Sequence, residues 1–171
     1  MAKDVGNDKL LGANSWSLLS ADGWNKVTGT FIRKWMSLED DVLLLTDISI
    51  TGDFWQRDKE EVNDAKITLD FRVQLPQVII KENALKELII EIDKWFSEPR
   101  EIGIELSNVC YQSFQITFGM KDEFICSPDK PVCTIQYSSD SRMKMGEWNF
   151  VVDQSCLRLF RDDLNLILKQ A

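Results

Sequence analysis

The sequence predicts an α+β domain in which antiparallel strands form either one curved meander-type sheet or two packed sheets, covered by two amphipathic helices. Several segments alternate apolar and polar residues with the period of a strand, and two segments carry apolar residues at helical spacing. Short turn-forming stretches separate the strand candidates. Each strand has one apolar face and each helix one apolar stripe, so two layers can bury them all. The predicted order is three strands, a helix, four strands and a helix.

Residues 1–26 are predicted to be an N-terminal arm, and residues 27–171 a single domain. The arm is rich in Gly, Asn, Ser and Asp, which indicates a loop that contains either a short turn of helix or an edge strand. Trp16 and Trp24 are expected to pin the arm onto the domain, because exposed tryptophan is costly unless something covers it. A chain of 171 residues is long enough for one sizeable core and short for two.

The first half of the domain reads as strands followed by a helix. Residues 27–36 and 42–50 are β-rich, and residues 37–41 join them with the length of a hairpin connection. Residues 66–75 show the clearest alternation in the chain. Residues 82–96 then change to a helical period, which indicates a helix of about four turns. Its predicted apolar stripe consists of Leu85, Leu88, Ile89, Ile92 and Phe96.

The second half contains four strand candidates in quick succession and a closing helix. In the last strand Trp148, Phe150 and Val152 alternate with other residues, so one face is expected to be buried. Asp153 and Ser155 follow directly, and both side chains can accept hydrogen bonds from the free N–H groups of a starting helix. The last strand is therefore expected to lead straight into the closing helix.

Composition favours a binding protein over an enzyme. The chain contains no histidine, which removes the commonest general base and the commonest metal ligand. Neither a phosphate-binding glycine loop, a nucleophile elbow nor zinc-ligand spacing is present, so we expect no catalytic residue, cofactor or metal. No apolar run is long enough to cross a bilayer and no signal peptide is evident, which predicts a cytoplasmic protein without a membrane partner.

The net charge of −8 is concentrated in one part of the chain. Between positions 37 and 64 there are nine acidic residues and two basic ones. Such a surface repels phosphate backbones and attracts basic proteins, so we expect no nucleic-acid partner. The alternative is that acidic loops only maintain solubility. Trp55 lies in this acidic part, and it either folds back to cap the sheet or anchors an interface.

The end of the chain carries a family resemblance. A hydrophobic strand that ends in Val152-Asp153-Gln154-Ser155, followed by Cys156, Leu157 and an amphipathic helix, resembles the small bacterial immunity proteins of the WapI-like group. The order of elements from position 53 onward is also similar. This order further looks like the whirly-type sheet that some immunity proteins and single-stranded DNA binders use.

The resemblance implies a cytoplasmic immunity protein that binds a secreted or contact-delivered toxin domain, which is expected to be a basic nuclease. An acidic surface would steer the toxin in, and aromatic side chains would hold it. The alternatives are a single-stranded nucleic-acid-binding protein on a whirly-like sheet and a non-enzymatic adaptor. The candidate toxin-binding residues are Glu39, Asp40, Asp41, Asp53, Trp55, Asp58, Glu60 and Glu61.

Overall fold

The computed structural model describes residues 14–54, 69–109, 111–120, 130–140 and 143–170. These residues form two successive runs of four strands, each run followed by a helix. The first run comprises β1 (Ser15–Leu19), β2 (Lys26–Met36), β3 (Val42–Phe54), β4 (Leu69–Lys81) and α1 (Glu82–Ser97). The second run comprises β5 (Ile102–Ser107), β6 (Ser113–Gly119), β7 (Val132–Asp140), β8 (Met143–Val151) and α2 (Gln154–Gln170).

The described strands make two four-stranded antiparallel sheets, with the orders β1-β2-β3-β4 and β5-β6-β7-β8. Each strand pairs with the next one along the chain, so both sheets are meanders. The predicted α+β class with meander-type strand order and two helices is confirmed, and of the two expected arrangements the described strands form two sheets. β1 is the edge strand that was one interpretation of the N-terminal arm, and it raises the number of strands before α1 from three to four.

The main core lies between the inner faces of the sheets and the two helices. α1 contacts β3, β4 and β5, whereas α2 contacts β1 and α1. Phe160 of α2 is fully buried. The centroid of its ring lies 5.4 Å from that of Trp16 in the first sheet and 6.5 Å from that of Phe118 in the second. The last helix of the chain therefore joins both sheets.

Trp16 anchors β1 in the core through a close approach to Gly29 of β2. The two residues are cross-strand partners. A Cβ atom built on Gly29 would lie 2.1 Å from Cε2 of the Trp16 indole, so only glycine leaves room for the ring. Trp16 is buried, as the sequence predicted. Trp24, in the connection from β1 to β2, is instead 45% exposed.

α1 buries the apolar stripe that its periodicity predicts, with one exchange. In α1, Trp95 is buried, while Phe96, the predicted end of the stripe, is half-buried. The guanidinium carbons of Arg158 and Arg161 in α2 lie 5.5 and 5.4 Å from the centroid of the Phe96 ring. Positions three and four residues beyond Ile92 both fit a helical stripe, and packing decides between them. Neither described helix combines the length and apolar character needed to span a membrane.

β8 leads directly into α2, and Asp153 caps the helix as predicted. Its Oδ1 accepts hydrogen bonds from the Cys156 N–H (2.9 Å) and from the Ser155 hydroxyl (2.7 Å). The bond from the Cys156 N–H, followed by that from Ser155, lowers the pKa of the Asp153 carboxyl. Ser155 was predicted to accept a bond from a free N–H; in the structure its hydroxyl donates to Asp153, because α2 already begins at Gln154.

Candidate partner-binding surface

The turn between β2 and β3 is held together by its own hydrogen bonds. The Ser37 N–H donates to the Asp41 carbonyl (2.8 Å), and the Asp40 N–H donates to the Ser37 carbonyl (3.2 Å). The Ser37 hydroxyl oxygen accepts from the N–H groups of Glu39 and Asp41, each at 3.2 Å. Asp40 has a positive φ of 62°, a conformation that aspartate tolerates better than most residues. These bonds define a compact and well-specified turn.

This turn exposes apolar side chains among carboxylates. Leu38 is fully exposed and Met36 is 65% exposed. Glu39 and Asp40 are exposed beside Leu38, whereas Asp41 is half-buried and its carboxylate lies 3.6 Å from the Lys81 ammonium at the end of β4. A single exposed leucine is ordinary. This turn differs in that its hydrogen bonds hold Leu38 in the open, with the exposed Met36 and two exposed acids near it.

The sheet face next to this turn carries a second apolar group outside the main core. Leu43 and Leu44 point to opposite faces of β3, because successive strand residues alternate. Leu44 belongs to the core, yet Leu43 is only 7% exposed. Its cross-strand partner in β2 is Trp35, and the Arg33 guanidinium carbon lies 5.6 Å from the centroid of the Trp35 ring. The outer face thus holds a half-buried tryptophan beneath a cation.

The eight predicted binding residues do not all fall at one place. Glu39, Asp40 and Asp41 share the turn described above. Asp53 lies near the other end of β3, opposite Asp70 of β4, and its side chain is outside the described part of the chain. β3 has 13 residues, which at about 3.3 Å each separates its two ends by roughly 40 Å. The remaining predicted residues, Trp55, Asp58, Glu60 and Glu61, lie outside the described residues.

A second exposed turn, between β5 and β6, was not selected from the sequence. Tyr111 in this turn is 86% exposed and has a positive φ of 62°. The next residue, Gln112, is bonded through its side chain to β4. Tyr111 carries no periodic signal because it lies between two strand patterns. Leu38 could have been found, because a connection as short as residues 37–41 has no room to bury a leucine.

The outer face of the second sheet is polar and negatively charged. The Ser113 hydroxyl donates to Glu105 across 3.2 Å. The side-chain amides of Gln136 and Asn149 donate to Glu147 across 2.8 and 3.1 Å. Carboxylates held in this way repel a phosphate backbone. Within the described ranges, no group of three or more histidine, cysteine or carboxylate side chains converges as a metal site would require.

Comparison with known proteins adds no assignment. The sequence matches no protein-family model. No curated protein matches it either.

Proposed function

We propose that this chain is an immunity-type protein that binds and neutralises a basic toxin domain in the cytoplasm and catalyses no reaction. The observation that carries the proposal is the β2–β3 turn, which presents the fully exposed Leu38 beside the exposed carboxylates of Glu39 and Asp40. The net charge of −8 adds long-range attraction for a positively charged partner. The resemblance of the strand-to-helix junction at Asp153 to bacterial immunity proteins is consistent with this role.

The proposed mechanism has two stages. Acidic residues first increase the rate at which a basic toxin arrives, as opposite surface potentials do in other complexes. The turn then enters a positively charged depression on the toxin, where Leu38 makes apolar contact and the carboxylates occupy positions otherwise taken by phosphate groups. Because the Ser37 bonds already fix the turn, little conformational entropy is lost on binding.

The proposal is tested in two steps. The tagged chain is used as bait in a lysate of the bacterium that encodes it, and captured proteins are identified by mass spectrometry. The candidate toxin domain is then expressed in a laboratory bacterium with and without the chain. Growth inhibition by the domain that the chain relieves supports the proposal, whereas a captured protein that does not inhibit growth, or inhibition that the chain leaves unchanged, contradicts it.

Two matched double variants test whether growth rescue depends on the β2–β3 turn. Leu38→Ala with Glu39→Lys is expected to abolish growth rescue, because it removes the apolar contact and reverses one charge. Glu87→Lys with Ile90→Ala makes a comparable change on the exposed side of α1 and should rescue growth as the wild type does. If both double variants lost growth rescue to the same extent, the turn would not be the binding surface.

One observation favours the runner-up, a single-stranded nucleic-acid-binding protein. Arg33 over Trp35 is the kind of cation and aromatic pair on which an unpaired base can stack. Against it stand the net negative charge and the carboxylates Glu105 and Glu147 on the second sheet. A shift assay with labelled single-stranded DNA separates the two: a shift that Trp35→Ala removes would favour nucleic-acid binding. No shift, and no toxin captured either, would leave the adaptor role.

A further inference from the structure

The turn between β5 and β6 is locked onto the edge of the first sheet by one glutamine. The Gln112 side-chain oxygen accepts a hydrogen bond of 3.1 Å from the Ile79 N–H, and its side-chain nitrogen donates to the Gln77 carbonyl across 3.0 Å. Its backbone N–H also donates to the Val109 carbonyl at 3.0 Å. The primary amide thus bonds β4 as the peptide group of a neighbouring strand would. This fixes the position of the preceding residue, Tyr111.

Tyr111 occupies a strained conformation without an evident benefit to the fold. Its φ of 62° belongs to the left-handed region, which glycine and asparagine adopt far more readily than an aromatic residue. Burial of the ring does not offset the energetic cost of this backbone conformation, because Tyr111 is 86% exposed. Gln77, the residue to which Gln112 donates, also has a positive φ of 58°. Two strained residues are therefore joined by one side chain, an arrangement that concentrates at binding sites.

Carboxylates lie on both of the elements that Gln112 joins, the first sheet and the β5–β6 hairpin. The Asp47 carboxylate accepts a hydrogen bond of 2.9 Å from the Gln77 N–H. Glu105, on the hairpin that contains Tyr111, is exposed and accepts from the Ser113 hydroxyl. A partner that meets Tyr111 therefore meets negative charge around it, so a basic surface is the complementary one.

We infer that Tyr111 is an aromatic anchor for the same basic partner that contacts the β2–β3 turn, an inference that rests on the proposed function. Tyrosine is among the residues that contribute most to binding when a partner covers them, because it adds a large contact area with few rotatable bonds. The energetic cost of the strained backbone is then offset in the complex, where the ring is buried. In the free protein, the hydrogen bonds of Gln112 fix the backbone beside Tyr111 for that contact.

The two turns are close enough to belong to one interface. Asp41 of the first turn reaches Lys81 of β4 at 3.6 Å, and Ile79, which Gln112 binds, is two residues from Lys81, or about 7 Å along the strand. An interface of ordinary size covers about 800 Å² on each partner, a patch roughly 30 Å across. One toxin surface can therefore contact both turns.

The test measures binding to the purified toxin domain that the wild-type chain captures and neutralises. Tyr111→Ala and Tyr111→Gly are expected to raise the dissociation constant by about tenfold or more. Leu159→Ala, at an exposed leucine of α2, serves as the matched control and should bind within about twofold of wild type. Thermal unfolding of each variant is measured in parallel. Tyr111→Gly should melt at or above the wild-type temperature, because glycine relieves the left-handed strain.

The outcomes separate this inference from the proposed function. If the wild-type chain neutralises the toxin and both Tyr111 variants bind as tightly as the wild type, the anchor role is overturned and the immunity role stands. A clear fall in the melting temperature of Tyr111→Gly would also overturn it, since Tyr111 would then be needed by the fold. If the wild-type chain neutralises no toxin domain, the proposed function fails and the anchor role fails with it.

Discussion

The carboxylate of Asp163 in α2 accepts a hydrogen bond of 3.0 Å from the backbone N–H of Ser17 in β1. The bond joins residues near the two ends of the chain and uses an N–H on the side of β1 that faces away from β2. An unpaired strand edge can recruit another chain, and a carboxylate on a covering helix blocks this part of it. The bond therefore both stabilises the attachment of β1 and protects one edge of the first sheet.

Removing this carboxylate should destabilise the fold. Asp163→Ala is expected to lower the free energy of unfolding by about 1–2 kcal/mol, because a half-buried N–H loses a charged acceptor. Asp162→Ala, which removes only a surface contact with Arg161, should cost less than about 1 kcal/mol. Urea denaturation of both variants checks the difference, and equal values would show that the bond to Ser17 contributes little.

The close approach of Trp16 to Gly29 gives a second prediction. Gly29→Ala should lower the free energy of unfolding by about 1–3 kcal/mol, because the new methyl group overlaps the indole ring. Gly103→Ala in β5 is the matched control. Its Cβ would meet nothing closer than the Thr117 hydroxyl at 3.7 Å, an ordinary contact, so it should be neutral or slightly stabilising. A Gly29→Ala protein as stable as wild type would disprove the tight fit.

The cap at Asp153 makes part of the stability depend on pH. The folded-state pKa of Asp153 is lowered, so its contribution is complete above the unfolded-state pKa of about 3.9 and is lost as pH falls through the folded value. Asp153→Ala should therefore be less stable than wild type by about 1 kcal/mol at pH 7. The gap should narrow below about pH 4. Denaturation of the wild type and of Asp153→Ala, from pH 7 to below about pH 4, measures this difference in stability. A difference that does not change with pH would show that the Asp153 carboxylate is not its source.

The separation of the acidic residues along β3 allows the two ends to be distinguished by charge reversal. Glu39→Lys tests the turn, while Asp58→Lys, Glu60→Lys and Glu61→Lys together test the connection after β3. Because the β2–β3 turn is the proposed contact, Glu39→Lys should slow association with a basic toxin by about tenfold at low salt, and the difference should shrink at high salt. Stopped-flow binding measures both rates. An on-rate unchanged by either reversal would remove the acidic residues from the mechanism.

Much of the fold follows from local patterns. The alternation that ends at Val152 and the helical spacing of Leu157 and Phe160 predict β8 and α2, and Asp153 marks the boundary between them. The candidate site is less predictable. Charge identified Glu39, Asp40 and Asp41, but sequence alone could not show that β3 would place Asp53 near its opposite end, because strand length depends on pairing with β2 and β4.

The sequence by itself determined the α+β class, the two helices and the seven strands after β1, since periodicity and capping act between residues a few positions apart. It left open whether residues 15–19 form a strand and whether the strands form one sheet or two. Where several residues fit a local pattern equally well, only the tertiary structure decided which of them became buried. In α1 the tertiary structure buries Trp95 and leaves Phe96 half-buried. Trp16 packs against Gly29, and the Gln112 side chain is hydrogen-bonded to β4. These outcomes depend on contacts between segments distant in the chain, and no local pattern encodes which segments will meet.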